Sequence, residues 1–178
     1  MYLAILQNTN SKTIVESSKY PLRALNVSSY VTNSEIEICY IYLKKDPVSV
    51  VSSFQKTDIE QPRKNFLAAN FYYFIVNLLC VFSVLILKFR GHKITTIRYE
   101  DLIENPIDTL CDIQEVLGLN QKDLIEKIKN NKSLDTGILF DGNRIRLSKS
   151  IILKKQAREV KKSFVFYFTR VFNYLLYN

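Results

Sequence analysis

Glycine is scarce in this chain, and its placement excludes one kind of anion site from the amino-terminal half. The 178 residues contain four glycines, and the first of them is Gly91. A loop that wraps a phosphate with backbone N–H groups needs glycine, because a side chain would hold the phosphate away. No phosphate loop of that type can therefore precede Gly91.

Residues that bind metals are also sparse. The three cysteines, Cys39, Cys80 and Cys111, lie far apart in apolar stretches, without a CxxC pair or a Cys/His cluster. This pattern is typical of inert core thiols rather than of a zinc site. The single histidine, His92, follows a glycine in a predicted turn. We therefore expect a solvated histidine and no metal.

The charge balance is basic, with 25 Lys and Arg against 17 Asp and Glu, a net charge of +8. Such an excess favours an anionic partner, such as a nucleotide, acidic lipid or nucleic acid. The basic residues form no aromatic platform or known module, so we do not expect nucleic-acid binding. The apolar run at residues 1–6 is too short for a secretory signal and lacks a basic lead. We therefore expect a cytoplasmic location.

Alternating strand and helix patterns predict an α/β fold with a parallel sheet. Residues 36–43 are nearly continuously apolar and β-rich, which is typical of a strand buried on both faces. Residues 93–98 form a second predicted strand. We expect a single, partial domain over 1–178, with the remaining core of sheet and helices at 13–151 and an amphipathic carboxyl-terminal helix at 152–178.

Helix boundaries carry strong local signals. Asp46 and Asn105 each precede a proline, and an Asx cap followed by proline at the first helical position predicts a helix start. Gly118 then predicts the end of the second of these helices. Asn120 with Asp123 resembles a capping box for a third helix, which we expect to reach about Asn130.

One uncharged segment has two interpretations. Residues 66–87 contain no charged side chain and are long enough to cross a bilayer. Asn70 and Asn77 are seven residues apart and so lie on one helical face, which a helix buried in an α/β layer explains at least as well. This segment and the basic, aromatic segment at 152–178 support an alternative function, that of a non-enzymatic, membrane-associated protein.

The junction after the first strand contains Lys44 and Lys45, followed by the predicted helix cap Asp46. Helix amino termini bind anions through free N–H groups and the macrodipole, and adjacent lysine adds charge. A solvated strand end is the competing interpretation. The junction alone does not decide between the two.

Four segments, in order, resemble the sulfotransferases that use the nucleotide sulfate donor PAPS. The first is IVESSKYPLRAL, similar to the family's DSSK stretch with Glu16 in place of aspartate. The second is YIYLKKDPVSVVSSF, similar to the family's strand, loop and helix that bind the donor's 3′-phosphate. Here Lys45 stands at the arginine position and Ser53 at the serine position. The third is ITTIRYEDLIENPIDTLCDIQEVLGL, close to the family's Y-E-D-L, N-P and L-G-L block. The fourth is FDGNRIRLSKSIIL, similar to the late G-N-x-x-R element, with Asn143 and Arg146.

The resemblance implies a P-loop NTPase-like three-layer sandwich that transfers a sulfuryl group from PAPS to a hydroxyl of a carbohydrate or small molecule. It implies that Lys45 and Ser53 hold the 3′-phosphate and that Tyr99 contacts the adenine. Arg146, with Asn143 beside it, would bring positive charge near the nucleotide phosphate.

The same resemblance places Lys19 near the transferred sulfuryl group, where a cation neutralises charge on the leaving oxygen. Glu16 is the nearest candidate base for an acceptor hydroxyl, by position only. Each of these residues also has a structural interpretation. Tyr99 could pack at a strand end, Glu16 could pair with Lys19, and Arg146 could be a surface cation.

Two departures from the family pattern weaken the expected activity. The family's glycine-containing loop for the 5′-phosphosulfate has no counterpart before Gly91. Lys45 keeps the positive charge of the family's arginine but loses its bidentate fork. We therefore expect an amino-terminally truncated domain, weakened donor binding, and little turnover by this chain alone.

Overall fold

A computed structural model of the chain describes residues 5, 8, 13–17, 20–30, 36–56, 62–135, 150–153 and 164–177. Its helices and strands, in chain order, are α1 (Pro21–Tyr30), β1 (Cys39–Lys44), α2 (Pro47–Phe54), α3 (Phe66–Phe89), β2 (Lys93–Arg98), α4 (Tyr99–Glu104), α5 (Pro106–Leu117), α6 (Lys122–Lys129), β3 (Leu134–Asp135), β4 (Ser150–Ile151), α7 (Phe164–Phe172) and α8 (Tyr174–Tyr177).

β1 and β2 pair in parallel, which confirms a mixed helix and strand fold with a small parallel sheet. Their register runs from Cys39 opposite Lys93 to Lys44 opposite Arg98. Parallel neighbours need a crossover connection, and α2 and α3 supply it. Across the described ranges the other sheet is the short antiparallel pair of β3 and β4.

Helices contact both faces of the parallel sheet. A buried apolar cluster on α5 packs against Cys39 of β1 and Ile97 of β2. On the opposite face, the Tyr42 hydroxyl donates a hydrogen bond to Asn77 Oδ1 of α3 at 2.9 Å. Successive strand residues point to opposite faces, and these contacts follow that alternation. The sheet therefore lies between α3 and α5. The expectation that the first strand is buried on both faces is wrong, since Ile41 and Leu43 of β1 are 48% and 49% exposed.

The predicted helix boundaries are confirmed where local chemistry decides them. α2 begins after Asp46, whose Oδ2 accepts the Ser49 N–H at 3.0 Å. α5 begins after Asn105, but the Asn105 side chain makes no cap bond, since the same residue also ends α4. α5 ends at Gly118 in the left-handed conformation, with φ of 68°.

The face of α3 that points into the fold carries polar side chains besides the apolar Ala69 and Leu87. Asn70 and Tyr73 are buried, and Asn70 Oδ1 accepts a hydrogen bond from the Asn173 side chain at 3.2 Å. Asn77 binds the sheet through Tyr42. The predicted polar stripe therefore faces the protein. The helix also has the length and composition to cross a membrane. Within an apolar stretch of 18 of its residues, 22% are buried in the protein.

The carboxyl-terminal segment, predicted as one helix over residues 152–178, is helical among its described residues at Phe164–Phe172 and Tyr174–Tyr177. Residues 152–153, which follow β4, are irregular, and α7 begins at Phe164 among the described residues. Asn173 separates α7 from α8, because its side-chain amide donates to the Thr169 carbonyl and to Asn70 Oδ1. Residues 154–163 lie outside the described ranges.

The turn at Asn173 changes which residue of α8 faces the core. Phe168 packs against Phe66 and Phe172 against Phe74, with ring centroids 5.6 and 5.3 Å apart. Leu175, which one continuous helix would place on the same face as Phe168 and Phe172, is 89% exposed, and its neighbour Leu176 is buried.

Candidate functional site

Basic residues meet where the two parallel strands end. Lys44 is the last residue of β1 and lies opposite Arg98, the last residue of β2. Lys45 follows the first strand directly, and Tyr99 follows the second as the first residue of α4. The carboxyl edge of a parallel sheet is the usual ligand-binding edge of α/β proteins. We call this group the carboxyl-edge cluster.

Lys45 and Tyr99, two of the predicted donor-binding residues, are in contact in this cluster. The Lys45 ammonium lies 4.7 Å from the centre of the Tyr99 ring, within the range of a cation–π interaction. The ring remains 38% exposed. The Lys45 backbone is held by Tyr73, whose hydroxyl donates to the Lys45 carbonyl at 2.8 Å. A cation therefore lies over one face of the ring of a partly exposed tyrosine.

Lys44 and Arg98 add positive charge to the same edge. The Lys44 ammonium donates to the Tyr177 carbonyl at 3.5 Å, and the Arg98 guanidinium lies 5.2 Å from the centre of the Tyr177 ring. Burial lowers the pKa of Lys44, and the nearby positive charge of Arg98 lowers it further. A bound anion would relieve this repulsion.

Two carboxylates hold the edge together rather than facing solvent. Asp46 caps α2, and its backbone N–H donates to Glu100 Oε1 at 3.0 Å. The other Glu100 oxygen accepts the Tyr177 hydroxyl at 3.1 Å. Arg170 of α7 approaches Asp46 Oδ1 at 3.7 Å. Because Asp46 occupies the start of α2, an anion here would depend on side chains more than on the helix amino terminus.

Ser53 lies in the last turn of α2, partly buried. Seven residues separate it from the cap Asp46, which corresponds to about 10 Å along the helix axis. Lys45 and Ser53 could thus share a ligand only if it lies alongside α2, between the two.

Of the two predicted catalytic residues, the structure describes Glu16. Glu16 forms an ion pair with Arg23 of α1, so its carboxylate is already engaged by a cation. The alternative that paired it with Lys19 is not addressed, because Lys19 lies outside the described residues, as do Asn143 and Arg146.

The cysteines and the histidine take structural positions. Cys111 is exposed, contrary to the expected core thiol, because it lies on the outer face of α5. Cys39 and Cys80 are half-buried, and burial raises the pKa of both thiols. His92 packs edge-to-face on Tyr40, with ring centroids 5.3 Å apart. In the part of the chain that the structure describes, no three His, Cys, Asp or Glu side chains gather as metal ligands.

The sequence analysis did not identify Arg98 as a member of the carboxyl-edge cluster, nor Glu100 and Tyr177 as residues that support it. Arg98 could have been predicted, because it is the last residue of one predicted strand and the other predicted strand is also followed by basic residues. No local pattern indicated Glu100 and Tyr177, which are 77 residues apart along the chain. Comparison of the chain with protein-family models, curated proteins and solved structures found no match.

Proposed function

We propose that this chain is part of a PAPS-dependent sulfotransferase domain and that its carboxyl-edge cluster binds the adenosine 3′-phosphate of the donor. The observation that carries the proposal is the contact between Lys45 and the exposed ring of Tyr99. Two separate sequence blocks supplied these residues, and the parallel pairing of β1 and β2 brings them together. Lys45 would bind the phosphate and Tyr99 would stack on the adenine.

The charge around this contact supports an anionic ligand. Four cationic side chains, Lys44, Lys45, Arg98 and Arg170, surround two carboxylates, Asp46 and Glu100. Both carboxylates already accept hydrogen bonds from the protein. The net positive charge of this sheet edge would attract a phosphate.

The finer parts of the proposal rest on the sequence resemblance. They are the P-loop NTPase-like three-layer architecture, the roles of Ser53, Asn143 and Arg146 at the donor, and a cytoplasmic location. They also include transfer to a hydroxyl of a carbohydrate or small molecule, with Lys19 at the sulfuryl group and Glu16 as base. Because Glu16 is paired with Arg23, we expect little turnover by this chain alone.

Titration calorimetry with 3′,5′-adenosine bisphosphate tests the donor site. We expect Lys45→Ala to weaken binding about tenfold to a hundredfold, since it removes a charge-assisted contact. Tyr99→Ala should weaken it by about tenfold through loss of stacking on the adenine.

Lys88→Ala is the matched control for these variants, because it removes an exposed lysine from the last turn of α3. We expect this control to bind as the wild type does. If the wild type and the three variants all bind 3′,5′-adenosine bisphosphate with equal affinity, the assignment of Lys45 and Tyr99 is contradicted.

A further inference from the structure

The outward face of α3 is apolar along the whole helix. Exposed apolar side chains recur every three or four residues, as one helical face requires. They include Leu67, Phe71, Ile75, Leu79, Phe82 and Ile86. We call this face the α3 outer stripe. The 24-residue helix is about 36 Å long. The stripe is therefore a contiguous apolar surface rather than a single exposed apolar side chain.

α3 thereby inverts the pattern of an ordinary surface helix. Its polar residues, among them Asn70, Tyr73 and Asn77, point into the fold and are hydrogen-bonded there. Most of its exposed side chains are apolar and point away from the sheet, whereas Ala69 and Leu87 are buried. A partner that covers the stripe must itself be apolar over a comparable length.

The carboxyl-terminal helices extend this apolar surface. Phe71 of α3 contacts Phe172 of α7, with ring centroids 5.4 Å apart. On α7 and α8, Phe164, Val171 and Leu175 are 80%, 77% and 89% exposed. The apolar surface thus continues from α3 onto the neighbouring helices.

Charge is unequally divided between the helices on the two sides of the sheet. Helices α1, α2, α3, α7 and α8 contain no Asp or Glu, and their charged residues are Arg23, Lys88 and Arg170. Helices α4, α5 and α6 contain eight acidic and three basic residues. The apolar stripe therefore belongs to the basic side of the protein.

Basic residues also flank α3 at both ends. Arg63 and Lys64 precede the helix, and Lys88 and Arg90 lie at its carboxyl end. A second copy docked on the stripe would bring like charges together, whether the two helices ran parallel or antiparallel. Anionic lipid headgroups would instead be attracted to both ends.

A membrane-spanning α3 is incompatible with this fold. The helix connects β1 to β2, and those strands pair in parallel over six residues. If α3 crossed a bilayer, the two strands would lie on opposite sides and could not pair. We propose that the α3 outer stripe docks on an anionic membrane surface, with the helix lying parallel to the bilayer plane.

Vesicle flotation of the full chain tests this docking surface. We expect the protein to float with phosphatidylcholine vesicles that contain about one third phosphatidylserine, and to float less with phosphatidylcholine alone. Ile75→Glu and Phe82→Glu should each lower the vesicle-bound to free ratio about tenfold or more, since each removes an apolar side chain from the interface and adds a repelled charge.

Val116→Glu is the matched control, because Val116 is 40% exposed on the acidic side of the protein, on α5. It should float as the wild type does. Circular dichroism checks that each variant is folded, and Ile75→Ser and Phe82→Ser replace any variant that is not. Binding of 3′,5′-adenosine bisphosphate is measured on the same proteins, so that failure of the donor site is distinguished from failure of docking.

Three results would overturn the proposal. The first is flotation that neither variant reduces. The second is a soluble dimer that Ile75→Glu dissociates, which would make a second copy the occupant. The third is resistance to alkaline carbonate extraction, which would indicate a spanning helix and a different fold around it.

Discussion

Glu100 links three parts of the chain through its two carboxylate oxygens. One oxygen accepts the Asp46 N–H at the start of α2, and the other accepts the Tyr177 hydroxyl of α8. Glu100 itself belongs to α4. A single side chain therefore fixes the strand end that carries Lys45 relative to both helices, which keeps the cationic edge in place.

Tyr177 gives this contact a measurable pH dependence. Burial raises the pKa of Tyr177 from 10.0 to about 12, and the charge and hydrogen bond of Glu100 act in the same direction. A folded-state pKa above the unfolded value contributes stability that is complete below about pH 10 and is lost as the pH rises towards 12. Tyr177→Phe should therefore make the free energy of unfolding fall less steeply above about pH 10.

Urea denaturation at several pH values between about 9 and 11 measures this slope. Tyr174→Phe is the control, because Tyr174 lies in the same helix and is 62% exposed. We expect the control to keep the wild-type slope. Identical slopes for all three proteins would show that Glu100 does not hold the Tyr177 proton.

The role of a residue could be predicted only where that residue lies in one of the four segments that resemble the sulfotransferases. The contact between Lys45 and Tyr99 joins residues that the resemblance had assigned to one ligand. The ion pair of Glu16 with Arg23 was not foreseen, although both residues lie in the same short block. A side chain of that length has several cations within reach, and the order of residues does not choose among them.

At the scale of single elements, Gly118 ends α5 with a backbone that other residues rarely adopt. Its φ is 68°, and a Cβ at this position would meet no atom within 4 Å. Substitution would therefore cost backbone strain but cause no collision. We expect Gly118→Ala to lower the free energy of unfolding by about 1 kcal/mol, measured by urea denaturation.

Gly118→Asn is the companion variant, since asparagine tolerates the left-handed conformation better than alanine. We expect it to cost less than Gly118→Ala. If both variants are as stable as the wild type, this glycine does not serve as the helix end.

Elements encoded by neighbouring residues were predicted well. The strand at residues 93–98 has its predicted bounds, and α2 and α5 begin at their predicted prolines. The carboxyl-terminal segment was not predicted, because its form depends on distant partners. β4 needs β3, and Asn173 breaks the helix through a bond to Asn70, 103 residues earlier.

At the scale of the whole molecule, the sheet separates two sides of different chemistry. The α3 side is apolar and basic, whereas the α5 and α6 side is acidic. The sequence of the uncharged segment at 66–87 is compatible with both a membrane-spanning helix and a buried helix. The structure adds that the polar residues of this segment point inward. Which face points outward depends on strand pairing and could not be read from the segment alone.

The central claim is that the cationic edge recognises a 3′-phosphate on adenosine. Calorimetric titration of the wild-type chain with 3′,5′-adenosine bisphosphate and with 5′-AMP compares two ligands that differ in that phosphate alone. We predict that the bisphosphate binds about tenfold or more tightly than 5′-AMP, because the proposed partner of Lys45 is the 3′-phosphate, which 5′-AMP lacks. Equal affinities, or no binding of the bisphosphate, would contradict the account.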